Sequence, residues 1–329
     1  MAEISIEQIK KLKELSGVGL TDAKKALVEA DGDFDKAIEF LRQKGQKMAA
    51  KRADRDANEG CVLAKTNGNM GAVIMISCET DFVATNEGFV AFTKRILDNA
   101  LANGLKTKDE VMAMTIDGRA VADLITDQIG KIGEKIELAH YEIVEAPAVY
   151  SYIHPGNRMA SVVGMNNTGF DEVGHNIAMQ VVAMRPVALD EESVPQEVKD
   201  TELRVAIEKT KEELVSKAVD AALHKVGINP AHVDSEDHIN SNMAKGWITE
   251  EQANQAREIK EKVAAEKMAS LDEKMINNIA NGRMKKFYQE NTLMNQEYIM
   301  ESKVSVKDFV AKTNKELKVV NFKRLELGA

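Results

Sequence analysis

The chain has 329 residues, of which 44% are hydrophobic and 29% charged, a composition typical of a folded protein with a large core. Its formal net charge is -9 at pH 7 without a long lysine and arginine run, which argues against a nucleic-acid or anionic-membrane partner. Two cysteines are too few for a disulfide framework, and neither a signal peptide nor a bilayer-spanning run is recognisable, so we expect a cytoplasmic protein.

The N-terminal segment has the pattern of three short helices joined by glycine-containing turns. Ser5 and Gln8 are spaced as a capping box at the start of the first helix, and Thr21 is placed to cap the second. Gly45 is predicted to end this three-helix unit, and the basic segment 42–55 is predicted to be a solvated linker helix. The apolar residues predicted to form its core are Ile9, Leu12, Leu15, Ala23, Ala26, Leu27, Ala30, Phe34, Ala37, Ile38 and Leu41.

A hairpin, a connector and a helix then occur twice in order. Turn signals separate the paired strands at Asn67-Gly68-Asn69 and at His154-Pro155-Gly156-Asn157. The predicted elements are strands 61–65 and 72–76, a helix from Asn86 or Glu87, a helix capped by Thr107 and Glu110, a helix over 121–129, strands 136–144, 150–153 and 159–165, a helix ending at Pro186 and, near the C-terminus, a helix capped by Ser305 and a strand over 319–327. Because neither sheet alone would bury both faces, we expect the two units to pack together in an α+β core.

The junction between the strand 72–76 and the next helix carries an acid and a large aromatic residue side by side. Such junctions lie at the surface and are held in place by a rigid scaffold. There Phe82 can enter an apolar slot on a partner, while Asp81 presents a carboxylate. The spacing alone favours the alternative, a core phenylalanine and a helix-capping aspartate.

Residues 191–283 are predicted to form a helical arm. Its first part carries a narrow apolar stripe with alternating spacings of three and four, typical of a coiled coil, which Gly227 and Pro230 interrupt. Thr249 with Gln252 opens a second long helix, so we expect an antiparallel helical hairpin. The stripe residues are Leu203, Ile207, Thr210, Leu214, Ala218 and Ala221 in the first helix, and Ile259, Val263, Met268, Leu271, Met275 and Ile279 in the second.

No metal, cofactor or catalytic site is predicted. His224, His232 and His238 all fall in the arm, but no cysteine or paired carboxylates stand at ligand spacing near them. The chain has no phosphate loop, no dinucleotide fingerprint, no Gly-x-Ser-x-Gly and no His-Glu-x-x-His. Cys78 beside Glu79 lacks a local base, so a cysteine-dependent enzyme is an alternative with little support.

Short motifs along the chain point to one known family. They are Lys13-Glu14-Leu15 with Gly17-Val18-Gly19-Leu20, Asp22-Ala23-Lys24-Lys25-Ala26-Leu27, Thr80-Asp81-Phe82-Val83-Ala84, Lys131-Ile132-Gly133-Glu134-Lys135-Ile136, Ser151-Tyr152-Ile153-His154 and Gly282-Arg283-Met284-Lys285-Lys286-Phe287. Together they resemble the motifs of the elongation factor Ts family. The resemblance covers the chain apart from the middle of the arm, about 215–268.

The resemblance implies a division into four parts within the α+β fold. These are an N-terminal three-helix ubiquitin-associated-like module with its linker at 1–56, core unit 1 of a duplicated core at 57–146, core unit 2 at 147–190 plus 284–329, and an inserted antiparallel helical-hairpin arm at 191–283. In the family the arm often carries dimerisation, which leaves open a homodimer or a 2:2 complex.

The resemblance also implies a guanine nucleotide exchange factor without covalent chemistry or a cofactor. Such a factor binds elongation factor Tu·GDP during translation elongation and displaces Mg²⁺ and GDP through an aspartate–phenylalanine wedge. The residues implied at the partner's nucleotide site are Thr80, Asp81, Phe82, Val83, Ile132, Gly133 and His154, and those implied in docking are Val18 and Leu20. Two structural alternatives stay open, namely Val18 as part of the three-helix core and Gly133 as a helix C-cap. A helical adaptor protein is the remaining functional alternative.

Overall fold

The computed structural model describes residues 4–328, which form two compact units. Unit 1 extends to Leu189 and resumes at Glu297, and unit 2 is Asp190–Gln296. Helices and antiparallel sheets occur together in unit 1, whereas unit 2 is helical. The predicted α+β class is therefore confirmed. Within the described residues, no helix has the length and apolar content needed to cross a bilayer.

Unit 1 begins with three helices, α1 (Ile6–Ser16), α2 (Leu20–Glu29) and α3 (Phe34–Arg52). The capping box of Ser5 and Gln8 is present, as predicted. Of the residues predicted to form this core, six are buried, namely Leu12, Ala23, Ala26, Leu27, Ala30 and Ala37, and four are half-buried against them, namely Ile9, Phe34, Ile38 and Leu41. Leu15 was predicted to be in the same core and is 63% exposed, because it lies in the last turn of α1 and lines an open cavity with Ile38 and Leu41.

Two predictions about the ends of these helices are wrong. The N-cap of α2 is Gly19 rather than Thr21, because the helix already begins at Leu20. Gly45 does not end α3 but lies buried inside it, where α3 crosses a later helix at Gly130. A Cβ on Gly130 would lie only 3.0 Å from the Cα of Gly45, so two glycines permit this close approach of backbones. The segment 42–55 is consequently a packed helix up to Arg52, not a solvated linker.

The chain of unit 1 then continues to Leu189 through two hairpins and their helices. The elements are β1 (Glu59–Asn67), β2 (Met70–Cys78), α4 (Asp81–Ala84), α5 (Glu87–Ala102), α6 (Lys108–Ala113), β3 (Thr115–Ile116), β4 (Arg119–Ala120), α7 (Val121–Ile132), β5 (Ile136–Glu145), β6 (Ala148–Ile153), β7 (Met159–Met165) and α8 (Asp171–Met184). Both predicted hairpins and the capping box of Thr107 and Glu110 are confirmed. The short helix α4 and the β3–β4 hairpin were not predicted.

Unit 2 contains helices α9 (Gln196–Lys225), α10 (Glu236–Ala244), α11 (Glu250–Ala269) and α12 (Glu273–Asn291), with a 3-10 helix at Pro230–His232. The single long helix predicted from Thr249 is wrong. Asp272 caps a new helix by accepting the Lys274 N–H at 2.8 Å, so the chain breaks after Ala269. The boundary predicted between the arm and core unit 2, at 283 and 284, lies inside α12, because Gly282 continues that helix.

The predicted apolar stripe of the first arm helix is correct only in part. Thr210 is buried, but Ala221 is exposed, and Met268 and Met275 of the second series are exposed as well. Ala206, Val219 and Leu223 are the other buried residues of α9. Helix α9 contacts α12 through the ion pair of Glu213 with Arg283. Farther along α9, Ser216 lines the same cavity as Ala264 of α11, so α9 meets the later helix first and lies antiparallel to the α11–α12 segment.

Unit 1 closes with α13 (Val306–Thr313) and β8 (Val319–Glu326). Within the described part of the chain, unit 1 has two three-stranded antiparallel sheets, ordered β1-β2-β5 and β6-β7-β8, and the small β3–β4 pair. Side chains of both larger sheets share one buried cluster, with Val62, Val73 and Val144 from the first and Val149 and Val162 from the second. The sheets therefore pack face to face. Helices α5 and α7 cover the opposite face of the first sheet, and α8 packs on the second.

This layering explains the composition of the strand that precedes the candidate site. β2 is the central strand of the first sheet and has apolar layers on both sides, so all nine of its residues are buried. A strand buried on both faces has a continuous apolar sequence rather than an alternating one. The end of β2 at Cys78 is therefore fixed by the core, and the next residues emerge from a rigid base.

Candidate functional site

The candidate site begins where β2 leaves the core. Two residues, Glu79 and Thr80, separate Cys78 from the four-residue helix α4, which has Thr80 at its N-cap position and Asp81 as its first residue. Ala84 is buried and Val83 is half-buried against the core cluster of the first sheet. The inner side of α4 is thus attached to the core, which leaves Asp81 and Phe82 on its outer side.

Phe82 is 84% exposed, in contrast to Phe89 one helix later, which is 2% exposed. Exposure of a side chain of this size to water costs free energy that burial against another surface would recover. Asp81 is exposed, and its carboxylate makes no hydrogen bond or ion pair with any residue in 4–328. The two structural alternatives, a core phenylalanine and an N-cap aspartate, therefore do not describe this junction.

Two glutamates tie α4 to the loop after α7 in a reciprocal manner. The Glu134 carboxylate accepts the backbone N–H groups of Glu79 at 3.2 Å and Thr80 at 3.1 Å, and the Thr80 hydroxyl at 2.7 Å. In return, the Glu79 carboxylate accepts the backbone N–H of Lys135 at 2.6 Å. We call this pair, with its hydrogen-bond donors, the Glu79–Glu134 clamp. It fixes the strand-to-helix junction and the α7–β5 loop to each other.

The clamp extends to the N-terminal helices through Arg52. The Arg52 guanidinium, near the end of α3, donates to both Glu79 carboxylate oxygens, at 2.9 and 2.7 Å. The Lys135 N–H first, and then Arg52, hold the pKa of the Glu79 carboxyl below its ordinary value. Glu79 is thus an ionised acceptor at neutral pH, and hydrogen bonds to charged acceptors are the stronger kind.

Ile132 and Gly133 lie at the other side of the clamp. Gly133 is the C-cap of α7 with φ of 83°, and its N–H donates to the Ile129 carbonyl at 2.8 Å. This left-handed conformation suits glycine and confirms the C-cap alternative. Ile132 is half-buried against the core cluster. Glu134 directly follows Gly133. The clamp therefore brings Ile132 and Gly133 close to Thr80, which is about fifty residues earlier in the sequence.

His154 lies on the β6–β7 turn and is exposed. The Tyr152 hydroxyl is 3.1 Å from its Nδ1, and the Tyr152 ring also packs edge-on against His175 of α8. Arg158, after the turn, is paired with Glu59 at the start of β1. Glu59 is the strand partner of Cys78 at the end of β2, so this ion pair places the turn on the side of unit 1 that carries α4. The Glu59 hydrogen bond first, and the Asp81 carboxylate as well, raise the pKa of the Arg158 guanidinium.

The two docking residues differ in their surroundings. Leu20 is 52% exposed at the start of α2, whereas Val18 is buried in the core of the three helices, as the packing alternative had it. The glycine turn that contains Val18 lies against α7, because a Cβ on Gly17 would be 3.0 Å from Lys131 Nζ. The turn is therefore next to the α7 end that carries Ile132.

Unit 1 thus brings the predicted segments together in a chain of contacts. The glycine turn lies beside Lys131, the loop after α7 is hydrogen-bonded to the junction at Thr80, and Arg158 beside the His154 turn pairs with Glu59 next to the end of β2. The residues that sequence reasoning did not assign to the site are Arg52, Glu79 and Glu134. Glu134 belongs to a quoted motif and Glu79 directly precedes another, but the hydrogen bonds of the clamp span 54 to 56 positions and have no local signal.

Both cysteines are buried in the core cluster beneath this junction. Burial raises the pKa of the Cys61 thiol to about 11 and that of the Cys78 thiol to about 12. A nucleophilic cysteine needs a lowered pKa and access to substrate. Cys78 instead donates to the Thr80 carbonyl at 3.2 Å, so it supports the junction and gives no support to a cysteine-dependent enzyme.

Comparisons with known proteins agree with the motif resemblance. A family model described as Elongation factor TS matches residues 79–225 and 204–329. Proteins named Elongation factor Ts from Phocaeicola vulgatus and Bacteroides thetaiotaomicron are each 51% identical over 327 residues, covering 99% of this chain and 99% of each relative. A protein of the same name from Christiangramia forsetii is 37% identical over 332 residues, covering 100% of both chains.

Proposed function

The chain belongs to the elongation factor Ts family, and from that membership we propose that it is the guanine nucleotide exchange factor of its cognate elongation factor Tu. In this role it binds elongation factor Tu·GDP, releases GDP and allows GTP to bind during translation elongation. The observation that carries the proposal beyond the family name is the exposed Phe82 ring on a junction that the core and the Glu79–Glu134 clamp hold in place.

The proposed mechanism is thermodynamic coupling. A factor that binds the nucleotide-free partner more tightly than the nucleotide-bound one must weaken nucleotide binding by the same factor. No bond in either protein is made or broken, and the chain needs no cofactor of its own. A thousandfold faster release corresponds to lowering the barrier by about 4 kcal/mol. A few anchor residues that become buried in an interface supply energies of this size.

Phe82 and Asp81 are proposed to form the wedge that disturbs the nucleotide site. Phe82 enters the partner between helices, and its burial there recovers the free energy that its exposure costs in the free protein. The unpaired Asp81 carboxylate disturbs the groups that hold Mg²⁺ at the phosphates of GDP, and loss of that cation weakens phosphate binding. Thr80 and Val83 hold the wedge from the inner side of α4.

Further contacts around the wedge are proposed from its neighbours. Ile132 and Gly133 press on the partner beside Phe82, and His154 contacts it from the β6–β7 turn. Leu20 docks on the nucleotide-binding domain of the partner through its exposed side chain, while buried Val18 shapes the glycine turn that presents it. The Mg²⁺ and the nucleotide belong to the partner.

The parts of the fold are proposed to divide the work as the family resemblance implies. The three helices α1–α3 are the ubiquitin-associated-like docking module, and the two sheets are the duplicated core that carries the wedge. The helices of unit 2 are the inserted arm, with dimerisation as its proposed role, which would give a homodimer or a 2:2 complex.

The experiment is the release of a fluorescent GDP from elongation factor Tu in the presence of excess unlabelled GDP. We expect the chain to accelerate release by about a thousandfold, with a linear dependence on its concentration before saturation. A GTPase of another family, assayed in parallel, is expected to keep its intrinsic rate. Binding to elongation factor Tu without acceleration would contradict the proposal and would favour the adaptor alternative.

A further inference from the structure

We propose that Glu79 and Glu134 are positioning residues for nucleotide exchange, which hold Phe82 and the Ile132–Gly133 pair as one rigid body. The inference rests on the proposed function, because it says how the wedge keeps its pose when it enters the partner. Neither glutamate needs to contact the partner in this role. Each acts through the backbone of the segment that carries the contacting residues.

The short helix that carries the wedge depends on the clamp for its position. α4 has only four residues, and a helix of this length is not stable through its own hydrogen bonds. Its N-cap residue, Thr80, donates its hydroxyl to Glu134 instead of capping the helix. The pose of Phe82 is therefore fixed by two kinds of contact, the burial of Ala84 in the core and the bonds that Glu134 accepts.

The reciprocal arrangement of the clamp makes it stiff. Glu134 accepts donors from the junction, and Glu79 accepts a donor from the α7–β5 loop, so neither segment can move without breaking bonds at both. These bonds are charge-assisted and partly shielded, since the Glu79 side chain is 15% exposed. A wedge that is already ordered loses less conformational entropy on binding than a mobile one, which favours the tight complex with the nucleotide-free partner.

Arg52 connects the same body to the docking module. It lies near the end of α3 and pairs with Glu79, while α3 also crosses α7 closely at Gly45 and Gly130. The module that contains Leu20 and the junction that contains Phe82 are thereby joined through the Glu79 carboxylate as well as through the α3–α7 crossing. We infer that docking of the module places the wedge in register with the nucleotide site, so that the two contacts are not independent.

The test compares Glu134→Ala with Glu134→Gln and with a chemically matched control, Glu110→Ala. Glu110 also accepts two backbone N–H groups, from Lys106 at 2.7 Å and Thr107 at 2.9 Å, but it lies in the capping box of α6. The measurement is fluorescent GDP release as a function of factor concentration, which separates the plateau rate from the half-saturating concentration. The circular dichroism spectrum of each variant is recorded alongside.

We expect Glu134→Ala to lower the plateau rate by about tenfold or more, because a misplaced contacting group loses rate steeply with distance. Glu134→Gln is expected to restore most of the rate, since its amide oxygen still accepts the two N–H groups. Glu110→Ala is expected to keep the wild-type plateau. An unchanged plateau in Glu134→Ala, or an equal loss in Glu110→Ala, would overturn the positioning role.

A second readout does not depend on the partner. Amide hydrogen exchange of the free protein is expected to be faster at Glu79 and Thr80 in Glu134→Ala than in wild type, and unchanged there in Glu110→Ala. If these amides keep their wild-type protection in Glu134→Ala, the clamp is overturned, even if the variant is slower in nucleotide exchange. If the wild-type chain does not accelerate GDP release from elongation factor Tu, the proposed function fails. Amide hydrogen exchange still decides in that case whether the clamp exists.

Arg52→Ala is the replacement variant for the same release assay if Glu134→Ala does not fold. It removes the half-buried guanidinium that pairs with Glu79 and leaves the Lys135 N–H bond in place. We expect a plateau rate lowered by about threefold and a raised half-saturating concentration, because the docking module loses its register with the wedge. A plateau and half-saturating concentration both at wild-type values would overturn the coupling through Arg52.

Discussion

At the residue scale, Gly174 lies where helix α8 passes over the ring of Tyr150 on β6 with no space for even a methyl group. A Cβ built at this position would overlap the ring. Gly282 lies inside α12 in open space, where a Cβ would meet no atom within 4 Å. The two glycines share a helical backbone and differ only in what surrounds them, so they separate packing from helix propensity.

We predict that Gly174→Ala lowers the free energy of unfolding by about 1–3 kcal/mol, because α8 must move off the second sheet. Gly282→Ala is expected to raise it by about 0.8–1.0 kcal/mol, since alanine is the better helix former and nothing obstructs it. Urea unfolding followed by circular dichroism measures both changes. The packing account of α8 would be contradicted if the two substitutions had the same sign.

At the scale of the elements, capping boxes were the feature that the sequence predicted best. The boxes at Ser5, Thr107 and Thr249 are all present, because each depends on residues three positions apart. The extension of α3 through Gly45 could not be predicted in the same way, since it depends on Gly130 in a distant helix. The β3–β4 hairpin has a local signal in the sequence, the Asp117-Gly118 dipeptide, and both residues adopt the positive φ that such a turn requires.

The capping box of α6 gives a pH-dependent prediction at the scale of an element. The Lys106 N–H first, and the Thr107 N–H next, hold the pKa of the Glu110 carboxyl below its ordinary value of 4.5. Because the folded pKa is the lower one, this stabilisation is present above the unfolded pKa and is lost as pH falls through the folded pKa. Glu110→Gln is therefore expected to be less stable than wild type at neutral pH.

The difference in the free energy of unfolding between wild type and Glu110→Gln is expected to shrink as pH falls below 4.5. Urea titrations at steps downward from pH 7, as far as both proteins stay folded, measure it. A difference that stays constant over this range would show that the charge of Glu110 has no part in the cap.

At the scale of the whole molecule, the sequence located the candidate site but not the structure that supports it. The motif Thr80-Asp81-Phe82-Val83-Ala84 marked the junction after the apolar strand, where spacing alone favoured a core phenylalanine, and Phe82 is exposed there. The clamp joins residues 54 to 56 positions apart, and Arg52 joins it from 27 positions away, so no periodicity or spacing reports these contacts. Long-range hydrogen bonds are visible only once the sheet register is fixed.

The central claim, that Phe82 is the group that releases the nucleotide, is tested most directly by fluorescent GDP release with Phe82→Ala. The control is Trp247→Ala, which removes another aromatic ring, 60% exposed, in unit 2. Phe82→Ala is expected to slow release by about 30-fold, equivalent to about 2 kcal/mol, with an unchanged circular dichroism spectrum, while Trp247→Ala keeps the wild-type rate. Release at the wild-type rate by folded Phe82→Ala would contradict the account.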